Sequence, residues 1–320
     1  MWRSDATLSG PVRATAADIE GLNRVFSEAF TERYRRDGLS GVRVPYLNPA
    51  VWQFAIDDAG EGAMTWRDAR GDVVAFNMVH RSGSEGWMGP LAVRTDRQGQ
   101  GHGQRIVRAG IAWLESQGVR TIGLETMPRT IDNIGFYSQV GFIPDHLTVT
   151  LQRDRPRGAG PSGERMAAPA GVQRSAAIEE CRDLANAVVA GVDFSREIEL
   201  TLEQSLGGVS LVRGDTGELR GFALWHSAPL AQGRVREELR ILKLAAASTA
   251  DALAVVAAAE REAAALSLGR LALRCQTRHA ELYAALIADG FRVQWTDLRM
   301  TLVGKREPDR NGVMLSNWEI

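Results

Sequence analysis

Cysteine is scarce in this chain of 320 residues, which has only Cys181 and Cys275. The two stand alone, with no C-x-x-C pair and no Cys/His spacing that would hold a metal. They read as reduced, buried thiols, the alternative being one disulfide between them. An excess of either charge is also missing: 38 basic against 39 acidic residues leave a formal charge of −1. That balance gives no electrostatic reason to expect nucleic acid or an anionic membrane as a partner. No apolar run approaches the roughly 20 residues of a membrane span, and the N-terminal MWRSDATLSG lacks the apolar core of a signal peptide. A cytoplasmic protein without membrane contact is the resulting expectation. What is present is ordinary for a globular protein, with 44% apolar and 24% charged residues. The length is comfortable for two domains, each burying its own core.

One stretch organises the rest. Gly89-Pro90 breaks the chain, and Leu91-Ala92-Val93 then reads as a short strand. Gly99, Gly101 and Gly103 fall within five residues, and Gln104 to Gln117 carries Ile106, Val107, Ile111 and Leu114 at helical spacing. Strand, glycine-rich turn and helix in that order make an anion site. The first turn of a helix has N–H groups with no intrahelical partner, and the macrodipole adds about half a positive charge. A pyrophosphate is the natural guest. The dinucleotide fingerprint G-x-G-x-x-G fails at its third glycine, because Gln104 stands there, and the Lys-Ser or Lys-Thr of the nucleotide phosphate loop is absent.

What matches is Gln98-Gly99-Gln100-Gly101-His102-Gly103, read as Q-x-x-G-x-G. With its flanking strand and long following helix, it resembles the acetyl-CoA loop of the GCN5-related N-acetyltransferases. A second stretch agrees. Val119 to Thr126 reads as a strand, followed by Asn133, Phe136-Tyr137 and Gly141-Phe142, a compressed form of the family's N-x-x-x-x-F-Y-x-x-x-G-F region. The two motifs keep the family's order and separation, and together they cover roughly residues 10 to 152.

The resemblance implies an α/β (α+β) fold, a mixed and mostly antiparallel sheet flanked by helices, and acetyl-CoA as co-substrate without a metal. Carried over residue by residue, it implies that Leu91, Ala92 and Val93 line the cofactor, with the Val93 N–H on the thioester carbonyl. Gln98, Gly99, Gln100, Gly101, His102, Gly103 and Gln104 would hold the diphosphate. Asn133 would contact the pantetheine arm beside Phe136, and Tyr137 would protonate the departing thiolate. For the general base, Glu125 and Glu85 stand where such enzymes often keep a carboxylate. His80 is a third candidate, read more simply as a strand-edge side chain, and water remains open as the base. The acceptor implied is a primary amine of a small molecule or peptide. An acyl-CoA sensor or assembly module without chemistry is the alternative function.

In chain order, Pro11 to Ala14 reads as a strand. A helix follows with Thr15 and Asp18 at its start and Ile19, Leu22, Val25, Phe26 and Phe30 on its apolar face. Residues 31 to 50, with Tyr34, Tyr46, Pro45 and Pro49, read as a solvated connection, or alternatively as part of the acceptor wall. Ala63 to Arg67 and Asp72 to His80 form a hairpin across Asp68-Ala69-Arg70-Gly71. His146 to Leu151 closes the first domain, 1–153, and the Pro/Gly-rich 154–169 reads as a linker.

Residues 170–305 read as a worn second copy. Val172-Gln173-Arg174 opens it as Val12-Arg13-Ala14 opens the first, and Gly290-Phe291 repeats Gly141-Phe142. The expected fold is therefore two tandem domains of this family, the second degenerate, giving a monomeric pseudo-dimer or a homodimer. In the copy, Leu244 runs into Ala245-Ala246-Ala247-Ser248 with no glycine, and Ser248 with Asp251 caps the helix itself. Tyr283 lies seven residues before Gly290, whereas Tyr137 lies four before Gly141, so the registers differ. The tail, 306–320, ends in Val313-Met314-Leu315-Ser316-Asn317-Trp318-Glu319-Ile320, apolar enough to dock on a domain or pair with a strand.

Overall fold

A computed structural model describes residues 8–158, 163–166 and 171–318. The N-terminal half runs β1 (Ser9–Arg13), α1 (Ile19–Arg36), α2 (Pro49–Ala59), β2 (Ala63–Arg67), β3 (Val73–Ser82), β4 (Glu85–Val93), α3 (His102–Ser116), β5 (Thr121–Thr126), α4 (Ile131–Gln139) and β6 (Phe142–Asp154). The C-terminal half repeats that order. It runs β7 (Glu164–Arg165), α5 (Val172–Val188), α6 (Ser195–Glu203), β8 (Gly207–Arg213), β9 (Leu219–His226), β10 (Glu238–Ala246), α7 (Thr249–Ala265), β11 (Arg270–Gln276), α8 (Ala280–Ala288) and β12 (Arg292–Leu302), with β13 (Val313–Ser316) added at the end.

Local chemistry accounts for most of these elements. The Thr15 N–H donates to the Asp18 carboxylate at 2.9 Å, fixing the entry to α1, whose Leu22, Val25 and Phe26 are buried. Asn48 accepts from the Ala50 N–H at 3.0 Å and Pro49 sits in the first turn of α2. Asparagine followed by proline is a helix-start signal, so Pro49 begins an element where the sequence alone reads as the end of a connection. α1 itself continues to Arg36, which brings Tyr34 off the connection and onto a helix. On α3, a Cβ at Gly110 would lie 2.7 Å from Met88 Sδ, so glycine lets this helix press against β3 and β4.

The expected opening strand of the second half is misplaced in the sequence reading. Val172 to Arg174 is the first turn of α5, and the counterpart of β1 is β7, which pairs antiparallel with β8. A two-residue edge strand inside a Pro/Gly-rich stretch carries no periodicity to reveal it. Residues 159–162 and 167–170 of the expected linker lie outside the described residues.

Twelve of the thirteen described strands follow the order β1-β2-β3-β4-β5-β12-β6-β11-β10-β9-β8-β7 in one sheet, and β13 joins it beside β10. The halves exchange their last strands. β6 leaves its own half to pair with β11, from Arg270↔Asp154 to Gln276↔Thr148. β12 comes the other way and pairs with β5, from Leu298↔Thr126 to Thr301↔Gly123. The two exchanged strands then pair with each other from Arg292↔Gln152 to Leu302↔Phe142. Each half therefore leaves an open sheet edge without the other. A fragment ending at Asp154 is expected to be insoluble or inactive. Size-exclusion chromatography of that fragment checks this, and a soluble, fully active fragment would contradict the exchange.

The second half closes on itself in a further way. β10 runs parallel to β11 only from Glu238↔Arg270 to Ile241↔Leu273. Beyond that point β13 takes over its free edge, from Lys243↔Ser316 to Ala246↔Val313. The four residues of β13 are fully buried. No described helix is long and apolar enough to cross a membrane.

Candidate active site

The site opens where two parallel strands part. β4 and β5 are paired from Glu85↔Thr121 to Met88↔Leu124 and separate after it, while β3 continues to hold the other edge of β4. The bulge falls at Gly89-Pro90, opposite Asn77 to Val79, so β4 runs through the pair instead of starting after it. Proline is tolerated there because it has no N–H to leave unmet on the open side.

Strand geometry decides which backbone groups face the opening. The Arg94 N–H donates to the Val74 carbonyl of β3 at 2.8 Å. N–H groups alternate between the two edges of a strand, so Leu91 and Val93 present theirs to the cleft. The Val93 carbonyl on that side accepts from Gln98 Nε2 at 2.9 Å, tying the turn to the strand.

The turn that follows is shaped for an anion. Gly99 and Gly101 have φ of 73° and 79°, and a Cβ at either would meet nothing within 4 Å. Gly101 is the N-cap of α3 and no side chain caps the helix. Its first N–H groups thus remain available where the dipole favours negative charge. The equivalent helix of the second half is capped from within: the Ser248 hydroxyl accepts from the Asp251 N–H at 3.1 Å.

A groove of about 540 Å³ runs along this turn, lined by Leu91, Ala92, Val93, Gln98, Gly99, Gly101, Gly103, Gln104, Asn133, Phe136 and Tyr137. Gln100 and His102 lie outside the lining. Phe136 packs against the first turn of α3, 3.1 Å from where a Gly103 Cβ would stand. Arg36 and Arg97, which the motifs do not announce, also line the groove. Arg36 lies 3.5 Å from Gln98 Oε1.

The groove leads into a cavity of about 330 Å³, and Phe30, Arg33, Leu91, Asn133 and Tyr137 line both. Tyr137 is half-buried, with Phe136 at 5.0 Å and Phe142 at 6.3 Å between ring centres. Burial pushes its phenol up to about 12. Asn133 Nδ2 donates to Thr126 Oγ1 at 3.3 Å. Tyr34, Val44 and Leu47 stand in the cavity wall, so residues 31 to 50 are more than a solvated connection.

The carboxylates differ in placement. Glu125 lines the cavity and accepts from Thr148 Oγ1 at 2.5 Å, from Arg299 at 2.7 Å and from Arg274. Burial alone would raise its carboxyl, but the Arg274 and Arg299 guanidiniums outweigh that and hold it below the usual range. Glu85, the first residue of β4, lies outside both linings. It is 4% exposed and accepts from Ser316 Oγ of the tail. His80 does not end its strand, because β3 runs on to Ser82. It pairs with Trp87 of β4, beyond the last β2 pair at Ala63↔Met78, with Nδ1 2.6 Å from Asp58 Oδ2 and its ring stacked on Trp318 at 5.7 Å.

The C-terminal half supplies residues to this cavity that no local motif announces: Leu230, Arg274, Trp295, Asp297 and Trp318. β12 reaches the site by pairing with β5, a contact between residues far apart in sequence. Among the described residues, Asp145, His146 and Glu307 form a grouping of metal-ligating type. Glu307 is paired there with Arg299, Arg310 and Arg278, whose charge opposes a cation.

The parted parallel strands, the uncapped glycine turn and the tyrosine between groove and cavity define an acyl-CoA-dependent N-acyltransferase fold. Residues 23–142 match the Acetyltransferase (GNAT) family, and this part of the chain is a domain of that family. No curated protein sequence matches the chain. The fold of the whole chain is similar to that of a putative acetyltransferase from Pyrococcus horikoshii, with a TM-score of 0.64 and 15% identity over 99% of this chain and 98% of that one. It is also similar to a tandem GNAT protein from the clavulanic acid biosynthesis pathway, with a TM-score of 0.56 and 12% identity over 96% and 99%. Saccharomyces cerevisiae N-myristoyltransferase with bound myristoyl-CoA shares the fold at a TM-score of 0.62 and 10% identity, over 94% of this chain and 84% of that one.

Proposed function

We propose that the chain is an acetyl-CoA-dependent N-acetyltransferase that acylates a primary amine of a small molecule or peptide. The observation that carries this reading is the continuity of groove and cavity at Tyr137. A phenol placed there is within reach of both a thioester at the end of the groove and an acceptor in the cavity.

Acetyl-CoA would supply the activated acyl group as a thioester. The uncapped first turn of α3 and the open Gly99 and Gly101 backbone fit its diphosphate, and Arg36 and Arg97 add positive charge beside it. The N–H of Val93 faces the cleft where a thioester carbonyl gains negative charge. Tyr137, with its phenol near 12, carries its proton at neutral pH and can give it to a departing thiolate. Asn133 and Phe136 hold the arm between these two points.

The cavity wall favours an acceptor over a long acyl chain. Glu125, Arg274 and Asp297 line its floor, and hydrocarbon laid against three charged groups would desolvate them without compensation. A short acyl group leaves the cavity to the amine. In this reading residues 1–153 form the catalytic half, 154–169 the linker, 170–305 a degenerate half and 306–320 its tail.

Thiol release from acetyl-CoA, followed across a panel of primary amines, tests the reading. Turnover with at least one amine is expected. Tight binding of acetyl-CoA with no acyl transfer to any amine would leave only a sensor.

A further inference from the structure

The cavity holds two carboxylates, and they are not equivalent. Glu125 is surrounded by donors: Thr148 at 2.5 Å, Arg299 at 2.7 Å and Arg274. A carboxylate offers about four lone-pair positions, so Glu125 has little left to offer a ligand. Asp297 accepts from Arg274 at 2.8 Å on Oδ2 and from the Trp295 indole at 3.3 Å on Oδ1. Arg33, the other cation in the wall, is already paired with Asp37 at 2.5 Å and Asp132 at 3.2 Å. Spare acceptor capacity at the cavity therefore lies on Asp297.

We propose that Asp297, carried into the site by the exchanged strand β12, receives the ammonium group of the acceptor and takes its first proton. The proposal rests on the N-acyltransferase reading above and names the acceptor class: a compact primary amine on an apolar or aromatic body. Phe26, Tyr34, Trp87, Trp295 and Trp318 add aromatic faces to a wall otherwise made largely of aliphatic side chains, which suits both the apolar body and the flank of a cation. About 330 Å³ is the scale of a small-molecule pocket.

The electrostatics agree with the geometry. The groups that act on Asp297 are Arg274 from β11, Glu125 from β5, the Trp295 indole from its own strand and Tyr34 from α1, while Arg299 acts on Glu125. Burial pushes the Asp297 carboxyl up; Arg274 pulls it back and Glu125 adds to the rise. Glu125 is displaced the other way. Two nearby carboxylates pushed apart divide their roles: Glu125 stays ionised as an anchor for the two arginines, and Asp297 exchanges protons.

The step balances as follows. One ammonium proton passes to Asp297 and from there to solvent. The freed nitrogen forms the C–N bond as the C–S bond breaks. The second proton that nitrogen loses is matched by the one Tyr137 delivers to sulfur, so the products are amide, thiol and one released proton.

Three measurements on the full chain test this: acetyl-CoA calorimetry, acetyl transfer to phenethylamine and tryptamine, and quenching of cavity tryptophan fluorescence by those amines and by their matched alcohols. Absence of acetyl-CoA binding would sink the function proposed above, not this assignment alone. If acetyl-CoA binds, at least one arylalkylamine should be acetylated, and none being acetylated overturns the acceptor class. Asp297→Asn should lower kcat/KM for the amine by about 100-fold or more at pH 7, with acetyl-CoA affinity unchanged. Raising the pH toward the amine's own pKa should recover part of the loss, since free amine no longer needs the base. A variant within about threefold of wild type, or a loss that pH does not move, overturns the role. Should Asp297→Asn fail to fold, the wild type still decides: the ammonium should bind at least about tenfold tighter than its alcohol, and equal binding overturns the proposal.

Discussion

Replacing Tyr137 by phenylalanine is expected to lower kcat by about 10²-fold or more, while acetyl-CoA affinity stays within about a factor of two. The magnitude is that of losing one positioned proton donor. The split between kcat and binding follows from the packing. The ring lies against Phe136 and Phe142, and phenylalanine keeps those contacts. Only the hydroxyl at the meeting of groove and cavity is lost. Because burial holds the phenol near 12, it remains protonated through the neutral range, and its own ionisation should leave no limb in the rate profile below about pH 10. Steady-state kinetics with a confirmed amine, beside calorimetry with acetyl-CoA, separates the two effects. Full kcat in Tyr137→Phe would reduce the residue to a packing role.

Gly101→Asp is expected to weaken acetyl-CoA binding tenfold or more, about 1.4 kcal/mol. The substitution separates binding from folding unusually well. Gly101 has φ of 79°, a region that aspartate enters more readily than most residues, and a Cβ there meets no atom within 4 Å. The chain should therefore fold. What changes is that a carboxylate now occupies the N-cap of α3, where no side chain stands at present. It would satisfy the helix start from within and repel a diphosphate, the condition that Ser248 and Asp251 already create at the start of α7. Thermal unfolding should show the variant folded, and calorimetry should show the affinity loss. Unchanged affinity in a folded variant would remove the glycine turn from the site.

The sequence and the structure agree where chemistry is local. The turn from Gln98 to Gly103 declares itself because positive φ demands glycine and a helix start demands a partner for its N–H groups. Ser248 with Asp251 declares the opposite at α7 by the same rule. The hairpin across Asp68 to Gly71 is legible for the same reason, its Gly71 N–H closing on the Asp68 carbonyl at 2.9 Å. Illegible features depend on partners distant in the chain. Nothing near Phe142 or Arg292 signals that β6 and β12 change places, since either strand fits either sheet edge by its alternation alone. Asp297, Trp295 and Arg274 are consequently invisible as site residues until that exchange is known. His80 misled for a related reason: a histidine late in a strand looks terminal until β3 is seen to run on to Ser82 beside β4.

The same long-range view explains why the second half differs at the place where the first half opens its cleft. Its parallel pair, β10 and β11, parts after Ile241↔Leu273 just as β4 and β5 part after Met88↔Leu124. In the first half the freed edge of β4 borders the groove. In the second, β13 hydrogen-bonds along the freed edge of β10 and fills the opening with its own backbone and side chains. The tail then continues to Trp318, which lines the cavity of the first half. One segment thus closes one cleft and helps to wall the other.

Calorimetric titration of the full chain with acetyl-CoA tests this account most directly. It predicts a single site per chain, strongly weakened by Gly101→Asp and untouched by replacing Ser248 with glycine. Two equivalent sites, or one site that survives Gly101→Asp in a folded chain, would contradict it.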